Sequence, residues 1–570
     1  MKKITAVVAL AILIASCNPL SKMAKYADSV KYDVTPNPLE MHGDSIAVSM
    51  SGKFPPNYFH KLASITATPS MRNASGEVVK SFEPIKLIGI DVEGDGQKID
   101  FTKGGTFSYE DVLAYDPKME NVKLTLDVSA GYKTKSKDFG NVDLGDGTII
   151  TPLMVRSDEK PIMGPDKFNR ITPKNIDGQI NYLIQSAAVR GSELNDEDMK
   201  AVKSFIATGV EEGLVWKGMS VSAYASPDGE MDKNANLAND RANTAAKSVQ
   251  GMLRSKKIDA AKSDDFFKKE GKGEDWAGFE KAVMASDFPD KDIVVRVLKM
   301  QSDLEVREKE IKNMAATYKF LAEEILPQQR RATFTLMAEK VGKSDEEISQ
   351  LAKSDPSQLN VEEMLYAATL TDDMAAKLKI YQTAKTQFAS DWRGPNNAGY
   401  IFMIQNKISD AQAEFEEAAK RADNGVINNN LGIISIKSGD RSKASEYYSK
   451  AVGAGPEVGY NMGIVDIKNG DYESAVKNMG SNKSFNAALA KMLKGDNTGA
   501  TSTIESGDDK DSAEGYYLKA ILGSRTGNKE MMVNNLKSAI GKDAKFKAKA
   551  KTDVEFIKFM QDSDFTGLVN

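Results

Sequence analysis

The last third of the chain repeats one pattern of small and aromatic residues, and this repetition constrains the fold more than any other sequence feature. Gly432 is followed by Ala444, Tyr448 and Ala451, and the next unit begins with Gly463, 31 residues after Gly432. Small residues at such intervals let two antiparallel helices pack closely, and stacked pairs of helices then bury a continuous core. The pattern predicts an all-helical solenoid.

This pattern resembles the tetratricopeptide repeat (TPR), which has a period of about 34 residues. Further units fit the same template upstream and downstream, with key residues at Tyr381, Ala384, Gly399, Ala411, Phe415, Gly495, Ala500, Tyr517, Leu536 and Ala539. We expect about five repeats within a TPR domain at residues 350–550. The resemblance implies protein partners bound by the array, although a repeat fold does not identify them.

A second informative stretch lies near the middle of the chain, at residues 221–242. An alternating segment ends at Ala225 and is followed by Ser226-Pro227-Asp228-Gly229, which is typical of a tight turn. Asn234 then opens a predicted helix, whose small apolar residues recur at helical spacing at Ala238, Ala242, Ala245, Val249 and Met252. This face is expected to pack against a sheet, which leaves Arg241 free to point elsewhere.

The motif Asn234…Leu237-Ala238…Arg241-Ala242 resembles the peptidoglycan-associating domain of the OmpA family. Residues 175–340 have a β-α-β-α order, with a first strand predicted at residues 180–184 and Arg330-Arg331 at the start of the last strand. This order, with a long insertion before the last strand, is similar to the variant of the domain common in Bacteroidetes. The resemblance implies an α+β domain that binds peptidoglycan through Arg241, Asp228, Ser226 and Asn234. Ser226 stands where the family has an aspartate, and an alternative interpretation gives Arg241 a structural role against Asp228.

The N-terminus has the features of an export signal. Met1-Lys2-Lys3 is basic, residues 4–14 are almost wholly apolar, and Leu13-Ile14-Ala15-Ser16-Cys17 looks like a bacterial lipobox. The resemblance implies removal of a signal peptide at 1–16, acylation of Cys17 and a lipidated tether at 17–34. An ordinary signal peptide with an incidental cysteine is the alternative.

Residues 35–165 alternate apolar and polar side chains in short runs separated by glycine-rich turns. Examples are Ile46, Val48 and Met50, and the turn Glu93-Gly94-Asp95-Gly96. Half-buried strands at this spacing predict an all-β sandwich. The sandwich is interpreted either as an adhesive or docking module or as a spacer, and His42 and His60 within it are expected to be surface or turn residues.

Composition argues against several classes of function. The net charge is −5 without long blocks of one sign, which disfavours nucleic acid as a partner. The chain has one cysteine and two histidines, and it lacks a phosphate loop, a zinc-protease helix and a nucleophile elbow. We therefore expect no catalytic residue, no metal site, no cofactor and no enzymatic activity.

These features together are similar to those of a Bacteroidetes-type outer-membrane lipoprotein that combines an OmpA-like domain with C-terminal TPRs. The leading hypothesis is a lipid-anchored scaffold that faces the periplasm and recruits partners of an envelope complex, such as one for outer-membrane protein assembly or secretion. The alternatives are a peptidoglycan tether that depends on Arg241, and a surface adhesin or nutrient-uptake accessory protein.

Overall fold

The computed structural model describes residues 19–570, which form two compact units. One unit combines the chain up to Pro165 with Tyr381–Asn570, and the other is Asp166–Ile380. Cys17 and the predicted signal peptide lie outside the described residues. Within the described part, none of the helices has the length and apolar character needed to cross a membrane.

The N-terminal region is rich in β-structure, as its alternating pattern predicts. After α1 (Pro19–Lys25) come β1 (Lys31–Thr35), β2 (Leu39–His42), β3 (Ser45–Phe54), β4 (Ala63–Arg72), β5 (Val78–Ser81), β6 (Ile85–Gly89), β7 (Gln97–Ile99), β8 (Gly105–Ala114), β9 (Val122–Tyr132) and β10 (Lys135–Ile149). Strands β1, β2 and β8 pair with β3, while β4–β7, β9 and β10 form a second group. A parallel pairing of β10 with β2 joins the two groups.

The two strand groups share one apolar core. Met50 and Phe107 come from the first group and Leu126 and Val128 from the second, and all four side chains are buried in one cluster. The alternation of buried and exposed residues along β3 follows from its period of two, which sends successive side chains to opposite faces.

The segment predicted to be a tether is instead part of this core. Leu20 and Met23 on α1 are buried in the same cluster as Phe59, and β1 pairs with β3 along its whole length. Residues 19–34 therefore belong to the sandwich, because burial of two large apolar side chains in α1 fixes that helix against the sheet.

The second unit is an α+β domain. Its elements are β11 (Ile171–Asn181), α2 (Glu197–Glu211), β12 (Val215–Ala225), α3 (Met231–Ser255), β13 (Phe267–Glu274), α4 (Trp276–Ala285), α5 (Lys291–Met300), α6 (Leu304–Asn313), α7 (Ala315–Phe320), α8 (Leu326–Gln329), β14 (Arg331–Val341), α9 (Asp345–Ser354) and α10 (Val361–Ala367). The strand order is β11-β14-β12-β13. The predicted helix face packs in the core below the sheet through Ala242, Ala245 and Val249, and Ala238 on the same helix is also buried.

Two local predictions in this unit have different outcomes. The prediction that the paired arginines stand at the start of a strand is confirmed, since β14 begins at Arg331, directly after Arg330. A strand was expected at residues 180–184, but β11 ends at Asn181. Tyr182 is the last residue of that stretch to be buried, while Leu183 and Ile184 are exposed, so the apolar run continues past the paired strand.

The C-terminal region is an array of helix hairpins. Its helices are α11 (Met374–Gln387), α12 (Arg393–Ile404), α13 (Ile408–Arg421), α14 (Gly425–Lys437), α15 (Arg441–Ala451), α16 (Pro456–Asn469), α17 (Tyr472–Met479), α18 (Phe485–Leu493), α19 (Asn497–Glu505), α20 (Ala513–Arg525), α21 (Lys529–Lys542), α22 (Lys545–Thr552) and α23 (Ser563–Val569). From α12 to α21 consecutive helices pair into hairpins.

The repeated glycines close these hairpins as the sequence predicts. A Cβ atom on Gly432 would lie 2.5 Å from the ring of Tyr448, and one on Gly399 would lie 2.6 Å from the ring of Phe415. The same relationship joins Gly463 to Met479 at 2.5 Å. Each large side chain therefore occupies the space that a side chain on the facing helix would need.

The strands of the sandwich end before the predicted boundary at residue 165. The last strand ends at Ile149 and a short 3₁₀ turn covers Thr151–Met154. From Val155 to Pro165 the chain has no helix or strand and contacts the helix array through the polar groups described below. This stretch carries no alternating apolar pattern because its partners are amide side chains rather than a sheet.

Candidate functional site

The four residues predicted to bind peptidoglycan lie close together, at the carboxyl end of β12 and the start of α3. Ser226 and Asp228 occupy the turn that follows Ala225, and α3 begins at Met231 rather than at the predicted Asn234. Asn234 is thus in the first turn of the helix, and Arg241 lies about two turns further along.

Arg241 is buried and donates to main-chain carbonyl groups. Its side chain is among the largest fully buried ones, with the residue 1% exposed. Nε donates to the carbonyl of Ser186 at 3.0 Å, Nη1 to that of Tyr224 at 2.8 Å and Nη2 to that of Leu183 at 3.1 Å. Burial lowers its pKa to about 10, which leaves the guanidinium charged near neutral pH. Arg241 therefore joins α3 to the end of β12 and to the segment after β11.

Ser226 and Asp228 are bound to a second arginine that the motif did not single out as a ligand residue. Arg330 Nε donates to Ser226 Oγ at 3.1 Å, and Arg330 Nη2 lies 3.2 Å from Asp228 Oδ2. The hydroxyl of Ser226 also donates to Asp228. Both charged side chains are about nine-tenths buried, with 10% and 11% exposed, so this ion pair is shielded from solvent.

The side-chain amide of Asn234 links the turn at Ser226 to Glu274 at the end of β13. Nδ2 donates to the carbonyl of Ser226 at 3.2 Å and to Glu274 Oε1 at 2.8 Å, while Glu274 Oε2 accepts from Trp276 Nε1 at 2.9 Å. Burial raises the pKa of Glu274. An inserted helix also reaches this turn, because Lys312 on α6 donates to the carbonyl of Asp228 at 3.0 Å.

A second group of polar residues is centred on four asparagines of the array, Asn397, Asn430, Asn461 and Asn486, which we call the asparagine ladder. They lie near the starts of α12, α14, α16 and α18, the first helices of four successive hairpins, and all four are buried. A buried amide costs stability unless both its acceptor and its donor are satisfied. In this array both are satisfied by the main chain of residues 156–164, which we call the resident segment.

Each ladder asparagine holds both backbone groups of one residue in the resident segment. Oδ1 accepts from the backbone N–H of its partner at 2.7–2.8 Å, and Nδ2 donates to the carbonyl of the same partner at 2.8–2.9 Å. The pairs are Asn397 with Gly164, Asn430 with Ile162, Asn461 with Lys160, and Asn486 with Arg156.

These partners are spaced by even numbers of residues, which identifies an extended chain. In an extended strand the N–H and C=O of one residue point to the same side, and those of alternate residues line one edge. Residues 160, 162 and 164 are successive residues of that edge. Residue 156 lies on the same edge, and only position 158 between 156 and 160 is left without a ladder asparagine on its main chain. The omitted Asp158 uses its side chain instead, since its Oδ1 accepts from Tyr460 at 2.7 Å and from Asn486 at 3.0 Å.

Additional asparagines link the ladder residues to one another. Asn430 Nδ2 donates to Asn396 Oδ1 at 2.9 Å, and Asn461 Nδ2 donates to Asn429 Oδ1 at 3.0 Å. Asn396 and Asn429 in turn donate to Asn397 and Asn430, each at 3.1 Å. A connected network of this kind fixes every amide in one orientation and presents a preformed row of donors and acceptors.

Charged side chains bind the middle of the resident segment. The Glu159 side chain is 0% exposed and its Oε2 lies 2.6 Å from Lys437 Nζ. Lys437 Nζ donates to the carbonyl of Ser157 at 2.7 Å, and Lys468 Nζ donates to the hydroxyl of Ser157 at 2.7 Å. Burial lowers the pKa of Lys468, and the charge of Glu159 opposes that shift. Lys437 therefore pairs with the buried carboxylate, and the two lysines, which both bind Ser157, form a cationic slot beside it.

The two ends of the resident segment make side-chain contacts of their own. Arg156 Nη1 pairs with Asp509 Oδ1 at 2.6 Å, and its guanidinium lies 4.3 Å from the ring centre of Phe485. At the other end, a Cβ on Gly164 would lie 2.7 Å from Arg393 Cγ and 2.8 Å from the ring of Trp392. Only glycine fits this position without displacing its neighbours.

The sequence prediction missed the asparagine ladder, although a signal for it exists. Three of its members stand two residues before a hairpin-closing glycine, in Asn397-Ala398-Gly399, Asn430-Leu431-Gly432 and Asn461-Met462-Gly463. Asn486 has the same relation to Ala488. A buried-face position occupied by asparagine in successive repeats indicates a polar ligand, because an unsatisfied buried amide would destabilise every repeat.

Within residues 19–570, no group of three or more histidine, cysteine, aspartate or glutamate side chains is placed to hold a metal ion.

Among known proteins, no protein-family model and no curated protein matches the chain. Several solved structures are similar to it. YrrB, described as a TPR protein with an unusual peptide-binding site, is 17% identical over 35% of this chain and 94% of its own, with a TM-score of 0.22. The Cut9–Hcn1 hetero-tetramer of the APC/C is 11% identical over 60% of this chain and 76% of its own, with a TM-score of 0.30.

A tetratricopeptide repeat protein from Parabacteroides merdae is 13% identical over 44% of this chain and 98% of its own, with a TM-score of 0.27. TM-scores this low do not decide the fold. The assignment of a hairpin array with TPR spacing rests on the helices, their pairing and the packing of Gly399, Gly432 and Gly463.

Proposed function

We propose that the protein is a non-enzymatic, lipid-anchored scaffold of the outer membrane that faces the periplasm and recruits protein partners of an envelope complex through its helix array. The single observation that carries the recruiting role is the asparagine ladder, because its side chains hold an extended polypeptide by the main chain. A row of amides spaced to match alternate residues is suited to a protein segment rather than to a small molecule.

The proposed anchoring rests on the sequence around Cys17 and on the position of α1. Acyl chains on Cys17 would supply the membrane attachment. Only Asn18 separates that cysteine from α1, and Leu20 on this helix is buried in the sandwich core. An acylated Cys17 would therefore hold the sandwich close to the membrane surface.

Affinity purification tests the recruiting role. Membranes from cells that carry a tagged full-length protein are crosslinked and solubilised, and the co-purifying proteins are identified by mass spectrometry. Recovery of a reproducible envelope partner is the expected result, with a Cys17→Ala variant as the control for membrane attachment. A protein recovered without any reproducible partner would contradict the scaffold function.

Protease treatment of intact cells tests the proposed orientation. A protein on the periplasmic face is shielded by the outer membrane and should remain full length until the membrane is permeabilised. Cleavage in intact cells would instead favour the surface adhesin or nutrient-uptake alternative.

A second candidate function, a peptidoglycan tether, is favoured by the gathering of Ser226, Asp228 and Asn234 beside Arg330 at the end of β12. These are positions at which the OmpA resemblance implies ligand contacts. The test is retention on purified sacculi of the wild type, Asp228→Asn and Arg241→Lys, each first shown to be folded by circular dichroism. We expect wild-type retention and reduced retention of Asp228→Asn, and failure of the wild type to bind would exclude the tether.

A further inference from the structure

We propose that the asparagine ladder, together with the slot between Lys437 and Lys468, is a binding site for an extended peptide that carries an acidic residue, and that residues 156–164 are its resident occupant in cis. The inference rests on the proposed recruiting function, because it names the chemical class of segment that the array recruits. A partner would bind at this site by displacing the resident segment.

The ladder contacts depend little on the occupant's side chains. Eight of the nine hydrogen bonds between the four asparagines and the resident segment go to backbone N–H or C=O groups, and the ninth runs from Asn486 Nδ2 to the carboxylate of Asp158. Any extended segment with N–H groups at the matching alternate positions can make them. Proline at those positions cannot, and the one proline of the resident segment, Pro161, lies between the bonded residues Lys160 and Ile162.

The cationic slot adds selectivity for a carboxylate. Glu159 lies at 2.6 Å from Lys437, and its side chain is fully enclosed. An occupant with a neutral residue here would leave two lysine ammonium groups near each other without an intervening anion, and one with a basic residue would add a third positive charge. Removing one partner from a buried charged group is strongly unfavourable. The site should therefore discriminate between acidic and basic residues at this position.

Two further positions restrict the occupant. Ile162 packs against the apolar cluster of the array that contains Val458 and Val465, so an aliphatic residue belongs three positions after the acid. Gly164 approaches Trp392 and Arg393 too closely for a side chain, so a glycine belongs five positions after it. The peptide class is thus an extended segment with an acid, an aliphatic residue and a glycine at positions 1, 4 and 6.

The resident segment is covalently linked to its site, which gives it an advantage over any free peptide. A tethered ligand acts at an effective concentration in the millimolar range, so a free peptide of equal intrinsic affinity competes poorly. The wild-type site is accordingly closed to peptides at micromolar concentration, and weakening the resident segment should open it.

The test uses the full-length protein and a fluorescein-labelled peptide of residues 154–166. In the variant Lys160→Pro/Ile162→Pro the resident segment loses the N–H groups that bond to Asn461 and Asn430, while the array is unchanged. Fluorescence anisotropy should report at least tenfold tighter peptide binding by this variant than by wild type. Adding Asn430→Ala/Asn461→Ala should abolish that binding, and a Glu159→Lys peptide should bind at least tenfold more weakly than the unaltered one.

Equal peptide affinity of the wild type and the proline variant, or affinity insensitive to the asparagine substitutions in a protein with an unchanged circular dichroism spectrum, would overturn the inference. Glu159→Gln in the full-length protein is a second, milder change that keeps the side-chain shape. It should also raise peptide affinity, and no increase counts against the site. Because only purified components are used, these outcomes are independent of whether an envelope partner is recovered from membranes.

Discussion

The side-chain amide of Asn430 binds both main-chain groups of Ile162, a residue 268 positions earlier in the sequence. The N–H of Ile162 donates to Oδ1 at 2.8 Å and Nδ2 donates to the carbonyl of Ile162 at 2.8 Å. This reciprocal pair is repeated by three other asparagines of the array. The stretch after the sandwich is therefore held along the array by its main chain, as a bound peptide would be.

Removing the ladder amides should destabilise the array. In Asn430→Ala, the N–H of Ile162 loses its partner and the C=O of Ile162 keeps only the bond from Asn396 Nδ2 at 3.2 Å. Each unsatisfied buried group costs about 1–3 kcal/mol. We expect the array to lose about 2–4 kcal/mol, measured as a lowered thermal midpoint by calorimetry. Asn534→Ala is the matched control, because Asn534 is exposed on α21, and a similar loss there would contradict the specific role of the ladder.

A methyl group at a hairpin-closing glycine should also destabilise the array. In Gly432→Ala the new Cβ would lie 2.5 Å from the ring of Tyr448, so the two helices must separate. Overpacking of this kind costs about 1–3 kcal/mol. Gly541→Ala on α21 meets no neighbouring atom within 4 Å and should instead stabilise its helix by about 0.5–1 kcal/mol. Urea unfolding of the two variants should therefore shift in opposite directions.

Arg241 should be intolerant of replacement by lysine. A single ammonium group cannot reproduce the three guanidinium bonds to the carbonyls of Ser186, Tyr224 and Leu183. We expect Arg241→Lys to lower the stability of the Asp166–Ile380 unit by about 2–4 kcal/mol, measured by chemical denaturation. Arg254→Lys, on the exposed side of the same helix, should have little effect, and equal behaviour of the two variants would refute the structural role of Arg241.

The buried carboxyl of Glu274 should make the stability of the same unit depend on pH. Burial raises its pKa above the unfolded value, so its stabilising contribution is complete below about pH 4.5 and is lost as pH rises through the raised folded pKa. Glu274→Gln removes this titration. The stability of the variant relative to wild type should increase from pH 4 to pH 7, and a constant difference across that range would contradict the assignment.

The sequence was most informative where packing depends on residue size. Gly399, Gly432 and Gly463 mark the hairpins because a facing large side chain excludes anything bigger at those positions. The same repeats contain the ladder asparagines at a fixed distance from the glycines, but composition and apolar periodicity do not detect a buried polar position. That signal becomes visible only when the repeats are aligned on their glycines.

The boundaries of the N-terminal region were harder to predict because they depend on long-range partners. Residues 19–34 have too few apolar residues to indicate a core element, yet Leu20 and Met23 are enclosed by strands far along the chain. Residues 155–165 were assigned to the sandwich, although their partners lie more than 230 residues later. Neither arrangement is encoded in local periodicity.

The residues of the predicted ligand site lie close together in the structure. The sequence located the turn with Ser226 and Asp228 and the helix with Asn234 and Arg241, and the structure brings these together. The sequence did not indicate that Arg241 binds three carbonyl groups, because a backbone acceptor does not depend on the type of residue that carries it. Whether peptidoglycan binds at this turn stays a prediction.

Amide hydrogen exchange across residues 155–165 of the full-length protein tests the central claim most directly. The amides of Arg156, Lys160, Ile162 and Gly164 are bonded to the ladder and should exchange on the order of 100-fold more slowly than those of Ser157, Glu159 and Met163. In Asn430→Ala the protection of Ile162 should be lost first. Uniformly rapid exchange throughout the stretch would contradict the account, since it would mean that the array does not hold this segment.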